Sequence, residues 1–188
     1  MALLPYVDEA TAPPSVREML DRTQVKINVF RMICNSEAMA KPFARFANTL
    51  LTRVKLDFKL RELAVLRTAE LCHSVYEWTQ HLPIAADCGV SPEQVKAIAD
   101  WEHAKCFNEL ERLVLRLTDE VNRNVKGRKE TIEALAQKLT PEQVVELVLS
   151  IGFWGMVARV LETLEIELDD FAGELNVAKT LGPPKKSQ

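Results

Sequence analysis

The chain has 188 residues, 47% of them hydrophobic and 27% charged, with a formal net charge of −3. That length suits one domain able to bury roughly 70% of its unfolded surface, and the composition excludes a disordered or fibrous chain. The balanced charge disfavours nucleic acid and anionic membrane surfaces as partners.

Six glycines and no sustained alternation of apolar and polar residues predict an all-α chain. Pro13-Pro14 closes an extended arm and opens a short helix through Thr23. Asn28 caps a second helix, Val29 to Cys34. Met39, Phe43, Phe46, Leu50 and Leu51 then form an apolar stripe at helical spacing, with Pro42 near the start of that helix. Asp57 caps the next helix, whose apolar body includes Leu60, Leu63, Leu66 and Leu71. Ser74 begins another, and Gly89 ends it in the left-handed position past the C-terminus.

Ser91-Pro92-Glu-Gln and Thr140-Pro141-Glu-Gln each read as an N-cap, a proline at the first helical position and a glutamine that closes a capping box. The helix from Pro141 is apolar nearly all round, which predicts a place in the core or at a subunit contact. Residues 1–26 are therefore an arm and short helix, 27–170 the helical domain, and 171–188 a polar tail. No apolar run reaches the roughly 18 residues of a membrane span, and the first residues lack a signal peptide's basic and apolar regions. A cytoplasmic location is expected, with Cys34, Cys72, Cys88 and Cys106 as free thiols, since none forms a Cys-x-x-Cys pair.

At an offset of 49, Glu62, Val65, Leu66 and Arg67 match Glu111, Val114, Leu115 and Arg116. Pro92-Glu-Gln-Val95 matches Pro141-Glu-Gln-Val144 at the same offset. Two patches sharing one offset suggest a duplicated helical unit. Pro-Glu-Gln is also a common helix opening, so both explanations stand. In a duplication, Ser74, Glu77 and His81 would map to Arg123, Lys126 and Glu130, and the second copy would lack the first one's chemistry.

Chemistry concentrates in Ser74-Val-Tyr76-Glu77-Trp78-Thr-Gln-His81. Ser74, Glu77 and His81 fall at i, i+3 and i+7, on one helical face, in a chain with three histidines. A hydroxyl, a carboxylate and an imidazole in one stripe can transfer protons. The same residues also read as a capping box (Ser74-x-x-Glu77) and a surface pair (Glu77 and His81). Glu and His one turn apart can hold a divalent ion only with a third ligand, and neither His73 nor His103 shares their face. No metal is expected. Cys72, near a helix start, is the one thiol placed for nucleophilic or redox work.

Arg61-Glu62-Leu63-Ala-Val-Leu-Arg67 on one helix and Tyr76-Glu77-Trp78-x-x-His81-x-Pro-Ile-Ala on the next resemble the carboxymuconolactone decarboxylase-like family, within the AhpD-like superfamily. Gly89-Val-Ser-Pro-Glu-Gln-Val and Leu-Val-Leu-Arg-Leu-Thr-Asp-Glu at 113–120 also fit. The resemblance implies an AhpD-like bundle of packed helices, assembled as trimers or hexamers, with sites at or near subunit contacts. In the thiol-peroxidase branch a helix glutamate precedes Cys-x-x-Cys and a histidine. The glutamate falls on Glu62 and the histidine on His81, but the cysteines fall on Ser74 and Glu77.

That departure points to the decarboxylase-type branch, which works without a cofactor on a small carboxylated lactone. The resemblance implies Glu62, Glu77 and His81 as the proton-transfer group, with His81 donating, Glu77 orienting or recharging it and Glu62 setting the charge state of the pair; a neutral glutamic acid in an apolar pocket is the alternative donor. Ser74, Tyr76, Trp78 and Arg67 are the expected substrate-binding residues. The alternatives are a redox protein using the displaced Cys72 and a non-catalytic oligomeric scaffold.

Overall fold

The structure is a computed structural model that describes residues 1–22 and 27–169. Its helices are α1 (Pro14–Arg22), α2 (Asn28–Ile33), α3 (Glu37–Thr52), α4 (Phe58–Leu71), α5 (Val75–Asp87), α6 (Pro92–Ala97), α7 (Glu109–Asn124), α8 (Lys129–Ala136) and α9 (Pro141–Thr163). A single 3₁₀ turn, Ile98–Asp100, extends α6. Among the described residues there is no strand, so the chain is all-α. The expected tail, 171–188, lies outside the described residues.

Short polar side chains set the starts of α4, α6, α7 and α9. Asp57 accepts from the Leu60 amide at 3.1 Å, and Ser91 and Thr140 each close the expected capping box with Gln94 and Gln143. Asn108 and Glu111 close a third box at α7. Three expectations change. Ile27, not Asn28, is the N-cap of α2, because the Asn28 amide donates to Asp169 (2.7 Å) and its side chain to the Glu167 carbonyl (3.2 Å). Pro42 lies well inside α3, which forgoes the bond its nitrogen would otherwise donate one turn back. Ser74 precedes α5 as its N-cap, yet its hydroxyl makes no capping bond and the Ser74–Glu77 box does not form.

Helix ends decide how α4 and α5 meet. After Cys72, His73 turns into the left-handed region (φ 53°), and the Ser74 amide reaches back to the Ala69 carbonyl at 2.9 Å. Gly89 (φ 87°) ends α5 in the same way, with the Val90 amide on the Ala85 carbonyl at 2.9 Å. A glycine takes that backbone conformation without steric cost, whereas His73 takes it despite its Cβ.

α4 packs against α5, α7 and α9. Ten of its 14 residues are buried, so it is central and carries Arg61, Glu62 and Arg67 into the interior. One apolar layer joins α2, α3, α5 and α9 through Val29, Phe43, Tyr76, Phe153 and Trp154. A second joins α4, α5 and α6 through Leu66, Trp78, Leu82 and Val95. By length and composition α9 is long and apolar enough to cross a membrane, although Glu142, Glu146, Arg159 and Glu162 interrupt its apolar run. Fifty-six per cent of its apolar stretch is buried against the other helices, as in a core helix. Its remaining face exposes Val145, Val148, Leu149 and Met156.

α4 to α6 and α7 to α9 follow one another in matching order at the offset of 49 residues. The matched glutamates nonetheless work differently. Glu111 closes the α7 capping box and pairs with Lys59 at 2.6 Å, while Glu62 is wholly buried inside α4.

Candidate active site

Glu62 comes from α4 because its neighbours on that helix face inward on every side, and α5 crosses at the same level with Glu77 and His81 on one face. The three side chains meet. His81 Nδ1 lies 2.8 Å from Glu62 Oε2, and His81 Nε2 lies 3.4 Å from Glu77 Oε2. Each is at most 3% exposed. Trp154 of α9 packs edge-on against the imidazole, with ring centres 4.4 Å apart and planes at 73°.

Arg61 anchors this array from behind. Its Nε and Nη2 each donate to Glu62 Oε1 at 2.7 Å, and Nη1 donates to the Leu50 and Leu51 carbonyls at 3.0 and 2.8 Å. Its guanidinium also sits 4.6 Å from the centre of the Phe58 ring. One arginine therefore fixes both the glutamate and the end of α3, and Glu62 has no freedom to turn away from His81.

The electrostatics separate the two carboxyls. Burial alone would push Glu62 up, but the attraction of His81 and Arg61 and their hydrogen bonds outweigh it and hold its carboxyl below the usual range. Burial would likewise lower His81, but the Glu62 carboxylate more than compensates and raises it. Glu77 has no such clamp. Burial pushes its carboxyl up to about 7; the His81 charge pulls the other way, and Glu62 adds repulsion. The array thus reads as guanidinium, carboxylate, imidazolium and a carboxyl poised to exchange its proton near neutrality.

Some of the unused hydrogen-bonding capacity falls at the same place. Glu77 Oε1, Ser74 Oγ and Trp154 Nε1 are buried and have no hydrogen-bond partner among the described residues, and the same holds of Trp78 Nε1 and Trp101 Nε1 in the layer around Leu66. Such atoms cost stability in the absence of a partner, and the first three belong to the acid, to the residue one turn before it and to the ring against His81.

The other expected substrate-binding residues sit elsewhere. Arg67 is spent on structure: it grips Asp119 through Nε (2.5 Å) and Nη2 (2.8 Å), and its Nη1 donates to the Ile98 and Ala99 carbonyls at 3.1 and 3.2 Å. Trp78 packs in the layer of Leu66, Leu82 and Val95. The Tyr76 hydroxyl donates to Asp169 (2.5 Å) and accepts from the Val29 amide (3.3 Å), tying α5 to α2 and to the segment after α9. Arg61 as clamp and Trp154 as ring partner were not assigned these roles from sequence.

Cys72 lies at the C-terminus of α4, half-buried, and all four cysteines are free. Burial pushes its thiol up, Arg159 pulls it down, and Glu77 and Glu162 push it up again, with a net rise. Among the described residues no three His, Cys, Asp or Glu side chains converge as a metal site.

Residues 37–120 match the carboxymuconolactone decarboxylase family. No curated protein matches the chain significantly. Solved structures share the fold. The AhpD-core, peroxidase-related protein of Ralstonia eutropha JMP134 is 20% identical, with a TM-score of 0.77 over 91% of this chain and 94% of its own. The debrominase Bmp8, in a complex with 2,3,4-tribromopyrrole, is 15% identical, with a TM-score of 0.77 over 97% of this chain and 100% of its own. A peroxidase-related protein of Silicibacter sp. TM1040 is 14% identical, with a TM-score of 0.75 over 90% of this chain and 92% of its own. The matched stretch includes Glu62, Glu77 and His81, so this part of the chain is similar to the carboxymuconolactone decarboxylase family, and the chain as a whole has the helical fold of these solved structures.

Proposed function

We propose that this protein is a cofactor-free proton-transfer enzyme, most simply a decarboxylase, acting on a small carboxylated lactone or a related product of aromatic breakdown. The observation that carries the reading is the Glu77 carboxyl. It is buried, raised to about 7, and has one oxygen on His81 while the other has no partner among the described residues. A carboxyl in that state can be protonated at neutral pH and still release its proton.

In this reading the bond from the ring carbon to the substrate carboxylate breaks and carbon dioxide leaves. The electron pair passes into the unsaturated lactone, and Glu77 delivers its proton to carbon through Oε1. His81 then returns a proton to Glu77 from Nε2, held in orientation by Glu62 and, behind it, Arg61. Glu77 is thus the donor and His81 the positioning and recharging group. The complex of Bmp8 with a small unsaturated ring supports a ligand of that size in this fold. The test is carbon dioxide release from γ-carboxymuconolactone by wild type and His81→Ala, without thiol or metal. Release that falls about 10²-fold or more in the variant supports the reading, and release at the parent rate would overturn the relay.

The redox alternative has less support, since the Cys72 thiol is pushed up rather than activated. Self-association belongs to the proposal as well. The exposed Val145, Val148, Leu149 and Met156 face of α9, with Met39 and Phe46 exposed on α3, offers apolar surface suited to another copy. Sedimentation equilibrium is expected to give a multiple of the 21.3 kDa chain mass, and a monomer at micromolar concentration would refute it.

A further inference from the structure

A carboxylated substrate needs cations, and the two arginines nearest the acidic array in sequence are consumed internally. Arg61 holds Glu62, and Arg67 holds Asp119. The chain supplies two more at the edge of the same region. A cavity of about 430 Å³ opens between α4, α7 and α9, lined by Cys72, Asn122, Arg123, Arg159 and Glu162 among others. Arg123 is 59% exposed, and among the described residues its carboxylate contact is Asp119 at 3.3 Å, whose oxygens Arg67 already holds. Arg159 donates to the Gly155 carbonyl of its own helix at 2.6 Å. Across Arg67, Arg123 and Arg159 against Asp119 and Glu162, the region holds one positive charge in excess.

A second cavity, of about 450 Å³, shares Glu162 with the first and is lined besides by Val75, Tyr76 and Glu165 among others. Its lining carries two carboxylates and no cation. Ser74, with its unpartnered hydroxyl, stands in the chain between Cys72 of the first lining and Val75 of the second. For an anion approaching Ser74 and Glu77, the first cavity attracts and the second repels.

Gly155 keeps the cationic cavity's polar wall in place. A Cβ there would stand 3.2 Å from Arg159 Nη1 and 3.4 Å from Asn122 Oδ1, so a larger residue would press on the Arg159 guanidinium. Asn122 is itself held by donation to Thr68 Oγ1 at 3.2 Å and to the Thr118 carbonyl at 2.9 Å.

We propose that the cavity between α4, α7 and α9 is a carboxylate-binding subsite, in which Arg159 and Arg123 hold a small carboxylated ligand beside Cys72. Its role in turnover rests on the proton-transfer reading above; its affinity for carboxylates does not. Cys72 provides a readout that needs no catalysis. Its thiol displaces iodide from iodoacetate or iodoacetamide, forming a carbon–sulfur bond and releasing its proton to water. The two reagents differ chiefly in the negative charge of the first.

The experiment measures both alkylation rates at Cys72 in the full chain, by mass spectrometry of its peptide, with glutathione as the free-thiol reference. The iodoacetate-to-iodoacetamide ratio is expected to exceed that of glutathione. Arg159→Gln and Arg123→Gln should each reduce it roughly threefold to tenfold, the effect of one charge at a partly exposed site. Glu162→Gln should raise it, an opposite shift that loosening of the fold would not produce. Millimolar succinate should protect Cys72 from iodoacetamide, and succinamide should not. A wild-type ratio equal to that of glutathione, unmoved by all three substitutions, would overturn the subsite. A ratio that responds as expected in a protein that releases no carbon dioxide upholds the subsite and removes the decarboxylase reading.

Discussion

Glu77→Gln is expected to reduce turnover about 10²- to 10⁴-fold while making the protein more stable above pH 7. The stability gain follows from the carboxyl's position. Folding raises it from 4.5 to about 7, so the folded chain binds a proton in that interval that the unfolded chain does not. Stability from this group is therefore greatest below 4.5, falls as pH rises through 7 and levels off above, a loss of about 3 kcal/mol. Glutamine mimics the neutral acid at every pH and escapes that loss.

His81 contributes a slope of the same sign. Glu62 raises its folded value, so the imidazolium's stabilisation is complete below its unfolded value near 6.5 and is lost as pH rises through the folded one. That slope persists in the variant. Urea unfolding of wild type and Glu77→Gln from pH 4 to 8 should thus give curves that coincide at the acid end and separate by about 3 kcal/mol at the other. Parallel curves would show that Glu77 titrates in the folded chain as it does in the unfolded one, and would remove it as the donor. In wild type, turnover should fall as pH rises through about 7, since the acid form is the active one.

Arg61→Met should cost about 3 to 5 kcal/mol, the largest destabilisation we expect from one substitution. Arg61 is 1% exposed and makes four hydrogen bonds, two to Glu62 and two to carbonyls at the end of α3. Methionine fills much of the volume but leaves Glu62 a buried carboxylate facing His81 alone, and leaves two carbonyls unsatisfied. The urea midpoint should drop with an unchanged slope. Adding Glu62→Gln should recover part of the loss, since the uncompensated charge is then gone. A second substitution whose cost simply adds to the first would mean the two side chains are not coupled in the folded state.

Much of the helical frame was legible because its signals are local. Asp57, Ser91-Pro92 and Thr140-Pro141 cap their helices through side chains that reach only three residues ahead, and Gly89 ends α5 through its own backbone freedom. The stripe of Ser74, Glu77 and His81 was legible for the same reason, since helical spacing alone puts three residues of one segment on one face.

The packing of one helix on another decided the rest. The Ser74–Glu77 capping box fails because the Ser74 amide already closes α4 on Ala69 and the Glu77 side chain turns inward to His81. Arg61 and Arg67 look alike in sequence, yet one clamps the site and the other grips Asp119, 52 residues away. Trp154 reaches His81 only because α9 lies across α5. Sequence by itself determined which residues could share a helix face, because that depends on bonds within a few residues. The tertiary structure alone determined which carboxyl is held as a carboxylate and which is poised near 7, because those states depend on burial and on charges brought together from distant parts of the chain.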